Sequence, residues 1–140
     1  MYYLHQFLKF AYLIIIQLIS IVFLKGEKSM LNQTVLVGRI VKDPELRETE
    51  NGNKVTNITL AVPRSYKNIN GEYETDFIPC ILWKGIAENT VEYVGKGDLI
   101  GVKGHVQSRN IEIDENNKKQ TVEIIAEKVT FLSSSKNKTE

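Results

Sequence analysis

From Thr34 onward, apolar and polar residues alternate in short runs that turn residues separate, a pattern typical of β-strands. The clearest run is DFIPCILW. Its odd-numbered side chains share one face of the predicted strand: Phe77, Pro79, Ile81 and Trp83. Its even-numbered apolar side chains share the opposite face: Ile78, Cys80 and Leu82. The sequence from Lys84 to Tyr93 then changes to helical spacing, so a short amphipathic helix is predicted directly after this strand.

Four more runs have the composition of strands, and turn residues such as Asn51-Gly52 bound them. With the run above, the predicted strands are Thr34–Val41, Asn57–Pro63, Asp76–Trp83, Leu99–Arg109 and Gln120–Leu132. Alternation in the other strands predicts further inward side chains: Ile58, Leu60, Val62, Ile100, Val102, Val106, Val122, Ile124 and Ala126. Gly38, inside the first run, predicts a bulge or the sharp bend that a small barrel requires.

The order of these elements, with the helix between the third and fourth strands, predicts an all-β fold. Short strands in this order are the arrangement of the OB-fold, a five-stranded Greek-key barrel with one α-helix between strands 3 and 4. We therefore expect one barrel domain over residues 30–132 and a short disordered tail over residues 133–140.

Residues 1–29 differ sharply from the barrel sequence, because Phe7–Leu24 is almost continuously apolar. Its 18 residues reach the lower length limit of a membrane-spanning helix. A secretory signal would need a basic segment before it and a small-residue cleavage site after it, and the sequence has neither. Lys25–Ser29 is instead what a purine-rich ribosome-binding sequence encodes when it is read in frame. Our first hypothesis is that Met30 is the true start and residues 1–29 are an upstream mistranslation; the alternative is a membrane anchor.

Length, charge and cysteine content narrow the class of protein. A chain of 140 residues with a formal charge of +1 allows one ordinary domain and no global polycation, so any basic surface has to be local. Three of the 18 basic and one of the 17 acidic residues precede Met30, which leaves 15 basic and 16 acidic residues after it. The single cysteine, Cys80, excludes a disulfide framework and is typical of a reducing compartment.

The sequence has no glycine-rich phosphate loop, no paired His or Cys ligands and no nucleophile elbow, so we expect no enzyme activity, no metal and no cofactor. Aromatic side chains interleaved with cations suit single-stranded nucleic acid, because bases stack on rings while Lys and Arg neutralise phosphates. The candidate stacking residues are Tyr66, Phe77 and Trp83. The candidate phosphate ligands are Arg39, Arg64, Lys67, Lys84, Lys96, Lys103 and Arg109. Strand parity alone leaves open whether Phe77 and Trp83 form this surface or belong to the core.

From Asn32 to Leu132 the sequence resembles the bacterial single-stranded DNA-binding protein (SSB) family. The matching segments, in family order, are NQTVLVGRIVKDPELR, NGNKVTNITLAV, TDFIPCILWKGIAENTVEYVGKGD and GVKGHVQSR. The resemblance implies a cytoplasmic OB-fold homotetramer that coats single-stranded DNA in replication, recombination, repair or DNA uptake. It also implies base stacking by Tyr66, Phe77 and Trp83, with basic contacts at Lys67, Lys96 and Arg109.

The sequence departs from the family pattern at four points. The family's fourth stacking aromatic falls on Ile111, and Gln33 and Pro79 stand where many members have a cation. The segment KNKTE stands in place of the family's acidic tip, so tail-mediated protein partners are not expected. The sequence leaves open whether the homotetramer also forms mixed oligomers with a full-length SSB. Two alternatives remain: an OB-fold protein-interaction module of the replication-restart type with weak DNA binding, and a membrane-tethered DNA binder if residues 1–29 are retained.

Overall fold

The computed structural model describes residues 1–24 and 31–133, and the chain divides into two compact units after Asn32. The first unit contains one helix, α1 (Tyr2–Leu24), and many of its apolar side chains are exposed. The segment Tyr2–Ser20 is long and apolar enough to cross a membrane, judged by length and composition. The predicted start at Met30 and tail residues 134–140 lie outside the described residues, so these expectations stay predictions.

The second unit is a six-stranded sheet with one helix. In chain order its elements are β1 (Thr34–Ile40), β2 (Arg47–Glu48), β3 (Lys54–Lys67), β4 (Tyr73–Trp83), α2 (Lys84–Tyr93), β5 (Leu99–Asp114) and β6 (Asn117–Phe131). The strands follow the order β1-β5-β6-β4-β3-β2, and β1 also pairs with β3, so the five long strands close into a barrel. Because α2 lies between the third and fourth barrel strands, this is the predicted OB-fold, and the predicted fold class is confirmed.

Barrel closure depends on a close approach between β1 and β3. A Cβ atom at Gly38 would lie 2.8 Å from the carbonyl oxygen of Ala61, so a larger residue at this position would collide with backbone. Gly38 is opposite Ile100 on β5, and the next residue, Arg39, is opposite both Leu99 on β5 and Ala61 on β3, so β1 reaches β3 directly after the predicted glycine. On the other side of the barrel, β4 pairs with β6 in parallel, with Cys80 opposite Ile124.

The core is formed by the inward faces of the barrel strands and one face of α2. Its buried members are Ile40, Ile58, Leu60, Cys80, Leu82, Ala87, Val94, Ile100, Val102, Ile124 and Ala126. The even-numbered face of β4 lies on the core side, as the alternation predicted, with Ile78 partly buried. The helix begins and ends at the predicted residues, and its Glu88 and Glu92 are exposed.

Two of the predicted inward side chains are at the surface instead: Val106 is 39% exposed and Val122 is 54% exposed. The β5–β6 register shifts between Lys103 and Gly104, and most of the hairpin beyond the shift is exposed. We call this projecting hairpin, residues 105–124, the β5–β6 arm. Val106 is opposite the buried Ile124, and Val122 has the same strand parity as Ile124, so both share its face. Both inward predictions were wrong because the hairpin runs past the strands that pair with it, β1 and β4, and no core covers that face there.

The observed strands also extend further than predicted, and one strand was missed. Residues 63–75 form a second projecting hairpin, which we call the β3–β4 arm, and backbone pairing continues there through polar sequence. Both faces of such an arm are solvated, so it lacks the apolar alternation that marks a half-buried strand. β2 is only two residues long and pairs with the edge of β3, which is too short a segment for a periodic signal.

Candidate nucleic-acid interface

The outer face of β4 carries its odd-numbered residues, and both candidate rings are exposed there. Phe77 is 64% exposed and Trp83 is 39% exposed. Between them Pro79 is exposed, whereas Ile81 is covered. The two rings are six residues apart, a distance of about 20 Å along a strand. The question that strand parity left open is therefore answered, because both rings are at the surface and outside the core.

Phe77 lies in a cross-strand row with an arginine. It is opposite Ala61 on β3, and Ala61 is in turn opposite Arg39 on β1. Directly opposite residues of antiparallel strands share a face of the sheet. Arg39 therefore lies on the same sheet face as Phe77, about 10 Å away across two strand spacings. The Arg39 guanidinium donates a hydrogen bond of 3.1 Å to the carbonyl oxygen of Gly97. The contact holds the guanidinium against the turn that also contains the exposed Lys96.

Trp83 lies in a second row of the same kind. It is opposite Val55 on β3, and Val55 is opposite Arg47 on β2. Val55 is 7% exposed, and Arg47 is exposed at the edge of the sheet. Lys84 follows Trp83 directly and is also exposed; its φ of 55° is in the left-handed region, where the chain turns from β4 into α2. Sequence reasoning missed Arg47 because its row depends on the short strand β2; the available signal was its place in the segment DPELR.

A groove of about 310 Å³ separates the outer face of β4 from the β5–β6 arm. Pro79 and Ile81 line it from β4, and Arg109 and Ile111 line it from the arm. Arg109 is largely exposed, but its guanidinium lies 3.7 Å from the carboxylate of Glu123. The groove thus offers apolar surface and one cation, Arg109, that is already paired with the carboxylate of Glu123.

Arg64 lies on the opposite face of the β3–β4 arm. Its guanidinium donates hydrogen bonds of 2.8 and 3.1 Å to the carboxylate of Asp76, and it also bonds to Glu74. The hydrogen bonds and charge of Asp76 raise the pKa of Arg64, with smaller contributions from Tyr66 and Glu74, and the same hydrogen bonds lower the pKa of Asp76. The structure therefore places Arg64 away from Phe77 and beside two carboxylates, and its role as a phosphate ligand stays a prediction.

Three further candidates occupy different parts of the unit. Tyr66 is 64% exposed and lies where the pairing of β3 with β4 is irregular. Lys67 is exposed on the β3–β4 arm, opposite β4. Lys103 lies in the β1–β5–β6 wall, opposite Val35 and Lys128, and is not brought to the rings. Within residues 1–24 and 31–133, no group of three or more His, Cys, Asp or Glu side chains is arranged to hold a metal ion.

An OB barrel that presents exposed rings and arginines on one outer face has the design of proteins that bind single-stranded nucleic acid. The sequence profile of the Single-strand binding protein family matches residues 31–132 of the chain. The chain therefore belongs to the Single-strand binding protein family.

Curated relatives agree with this assignment. The chain is 50% identical over 108 residues to single-stranded DNA-binding protein 3 of Listeria innocua, covering 77% of this chain and 68% of the relative. It is 48% identical over 103 residues to single-stranded DNA-binding protein B of Bacillus subtilis, covering 74% and 91%. It is 50% identical over 103 residues to the single-stranded DNA-binding protein of Halalkalibacterium halodurans, covering 74% and 61%. The chain thus spans most of a short relative but about three fifths of a longer one.

Proposed function

We propose that this protein binds single-stranded DNA with little sequence preference, in replication, recombination and repair. The observation that carries the proposal is the pair of cross-strand rows, which align Phe77 with Arg39 and Trp83 with Arg47 on one outer face. The names of the relatives, all single-stranded DNA-binding proteins, support DNA as the ligand. The activity is binding and involves no chemical step.

The rows suggest how the strand lies on the barrel. Bases stack on Phe77 and Trp83, and every base offers a π-face, so this contact is tolerant of sequence and is worth about 1–3 kcal/mol per base. The phosphates follow the side of β3 away from β4, where Arg39 on β1 and Arg47 on β2 lie about 10 Å from the rings. Neutralised phosphates release counterions, so affinity falls as salt rises.

Fluorescence of Trp83, the single tryptophan, tests the proposal directly. Titration with poly(dT) should quench it, and the affinity should fall with rising salt because phosphate contacts contribute to binding. Duplex DNA of matched length is the control and should quench much less. Absence of both quenching and a gel shift at low salt would contradict the proposal.

We also propose that the barrels assemble as a homotetramer. Apolar side chains that remain exposed on a single barrel support assembly: Val35 is 39%, Val106 39% and Val122 54% exposed. Covering such side chains between copies removes apolar surface from water. Sedimentation equilibrium of the purified protein should give four times the chain mass, and a monomer at micromolar concentration would contradict assembly. Native mass spectrometry with a full-length SSB tests for mixed oligomers.

A membrane tether is a second candidate, and α1 is the observation that favours it. Its segment Tyr2–Ser20 passes the length and composition test for a membrane span. A start at Met30, inferred from the sequence, would instead give a cytoplasmic protein without this helix. The intact mass of the native protein, measured separately in membrane and soluble fractions, distinguishes the two. A mass that starts at Met30 overturns the tether, and a membrane-bound mass that includes residues 1–29 overturns the internal start.

A further inference from the structure

The β3–β4 arm has two chemically different faces. On β4, the even-numbered residues of this region are the acids Glu74 and Asp76, which Arg64 bridges. The odd-numbered residues, which continue the outer face of the barrel, are uncharged: Tyr73, Thr75 and Phe77. A polyanion is repelled by the acidic face and is accepted by the uncharged one. The arm therefore offers DNA one side only, and it is the side that carries Phe77.

Tyr73 is the aromatic residue on this face that no prediction from sequence included. It is 61% exposed and has the same strand parity as Phe77. The two residues are four positions apart, about 13 Å along a strand. Tyr66, the residue that the family resemblance assigns to stacking, lies in the irregular part of β3 and contributes to the raised pKa of Arg64, and its stacking role stays a prediction.

A cation accompanies the Tyr73 ring. Lys67 is its register partner on β3, and the Lys67 ammonium lies 5.5 Å from the ring centroid, within cation–π range. One face of the ring thus carries a positive charge. Among the described residues, the aromatic ring pairs involve other side chains, so no second ring stacks on Tyr73. An exposed ring with an adjacent ammonium provides a stacking surface for a base and a counter-charge for its phosphate.

We propose that Tyr73 is a further base-stacking residue and that Lys67 is the phosphate ligand beside it. The proposal rests on the single-stranded DNA binding proposed above, and it extends the DNA path from Phe77 onto the β3–β4 arm. It also places stacking capacity on this arm, whereas the β5–β6 arm presents Ile111, which has no ring. Each nucleotide held there adds to the length of DNA that one barrel covers.

Substitution of Tyr73 in the whole protein tests the proposal, with Trp83 quenching by poly(dT) as the readout. Tyr73→Ala should weaken binding about 5- to 150-fold, because a stacking surface is lost. Tyr73→Phe retains the ring and should stay within about 2-fold of the unsubstituted protein. Ile69→Ala is the matched control: Ile69 is 102% exposed in the same arm and has no ring, so its loss should leave affinity unchanged. Lys67→Met should lower the salt slope by about 0.7, the value for one phosphate contact to a single strand.

The outcomes separate this proposal from the one on which it rests. Equal affinities for Tyr73→Ala and Ile69→Ala, with normal binding by the unsubstituted protein, would overturn the role of Tyr73 and leave DNA binding intact. Absence of binding by the unsubstituted protein would overturn both. Photo-cross-linking to iodouracil-substituted DNA adds a direct readout: adducts on Tyr73 support the stacking role, and adducts confined to Phe77 and Trp83 exclude it.

Discussion

The two ends of β4 follow the same alternation but differ in what their even-numbered faces meet. At the barrel end, Cys80 and Leu82 are completely buried among core side chains. At the arm end, Glu74 is exposed, Asp76 is half-buried, and both bind Arg64. The odd-numbered face keeps its exposed rings at both ends. The even-numbered face thus changes from buried to solvent-exposed where the barrel ends, whereas the odd-numbered face is exposed at both ends. Substitutions on the even-numbered face of the barrel should therefore affect stability, and substitutions on the odd-numbered face should affect DNA binding.

The largest effect is expected at the barrel end of the even face. Leu82→Ala should lower the free energy of unfolding by about 2–5 kcal/mol, because it removes buried methyl groups and leaves a cavity. Urea unfolding followed by circular dichroism measures this loss. Phe77→Ala, on the exposed face of the same strand, is the control and should change the free energy of unfolding by less than about 1 kcal/mol. Equal losses for the two variants would show that the faces are not separated in this way.

Phe77→Ala should instead affect binding. Loss of its ring should weaken poly(dT) binding by about 1–3 kcal/mol with similar effects on different base sequences. Trp83 remains in this variant and reports the titration by fluorescence. Tyr93, which is 41% exposed at the end of α2, supplies the matched control, because Tyr93→Ala removes an exposed ring from another part of the molecule. An equal loss from both variants would argue against a specific aromatic face.

The arms explain which parts of this molecule were predictable from sequence. The element order and the bounds of α2 followed from periodicity, because the barrel strands and helix each bury one face. Val106 and Val122 were predicted wrongly because they share a strand face with the buried Ile124, and periodicity does not show that the hairpin continues past the barrel there. Strand parity could not decide whether Phe77 and Trp83 lie at the surface or in the core, since both faces of β4 are apolar. Arg64 was assigned to phosphate by its charge, but its carboxylate partners depend on a cross-strand register that composition does not contain.

A smaller effect on the salt dependence of binding should show whether the position of an arginine in a cross-strand row matters, or only its charge. Arg47→Gln should reduce the slope of log affinity against log salt by about 0.7, because one phosphate contact is lost. Arg64→Gln removes the same charge from the acidic face and should leave that slope unchanged. Titrations of Trp83 fluorescence at several salt concentrations measure both slopes. Identical slope changes would mean that net charge, rather than position in a row, controls phosphate binding.

The smallest effect concerns the acidic face itself. The pKa of Asp76 is lowered in the folded protein by hydrogen bonds from Arg64, so the folded state binds fewer protons than the unfolded state near that pKa. Its contribution to stability is therefore present above the ordinary aspartate pKa of about 3.9 and is lost as pH falls through the lowered value. Amide exchange of the β3–β4 arm should be slower in the unsubstituted protein than in Asp76→Asn near neutral pH. The difference should shrink in acid; a difference that persists at low pH would contradict the linkage.

The irregular pairing of β3 with β4 has a consequence for how the chain can change in length. Pro63 is opposite Thr75 and Lys67 is opposite Tyr73, so β3 has two more residues than β4 between these pairs. An even surplus keeps the two faces of the arm in phase, whereas a single deletion within β4 would exchange them and turn Tyr73 toward the acidic side. A deletion of Asn70, in the turn, leaves strand parity untouched. Within the strands of this arm, an insertion or deletion therefore keeps the two faces in place only if it changes the length by an even number of residues. DNA binding after deletion of Thr75, in β4, can be compared with binding after deletion of Asn70, in the turn.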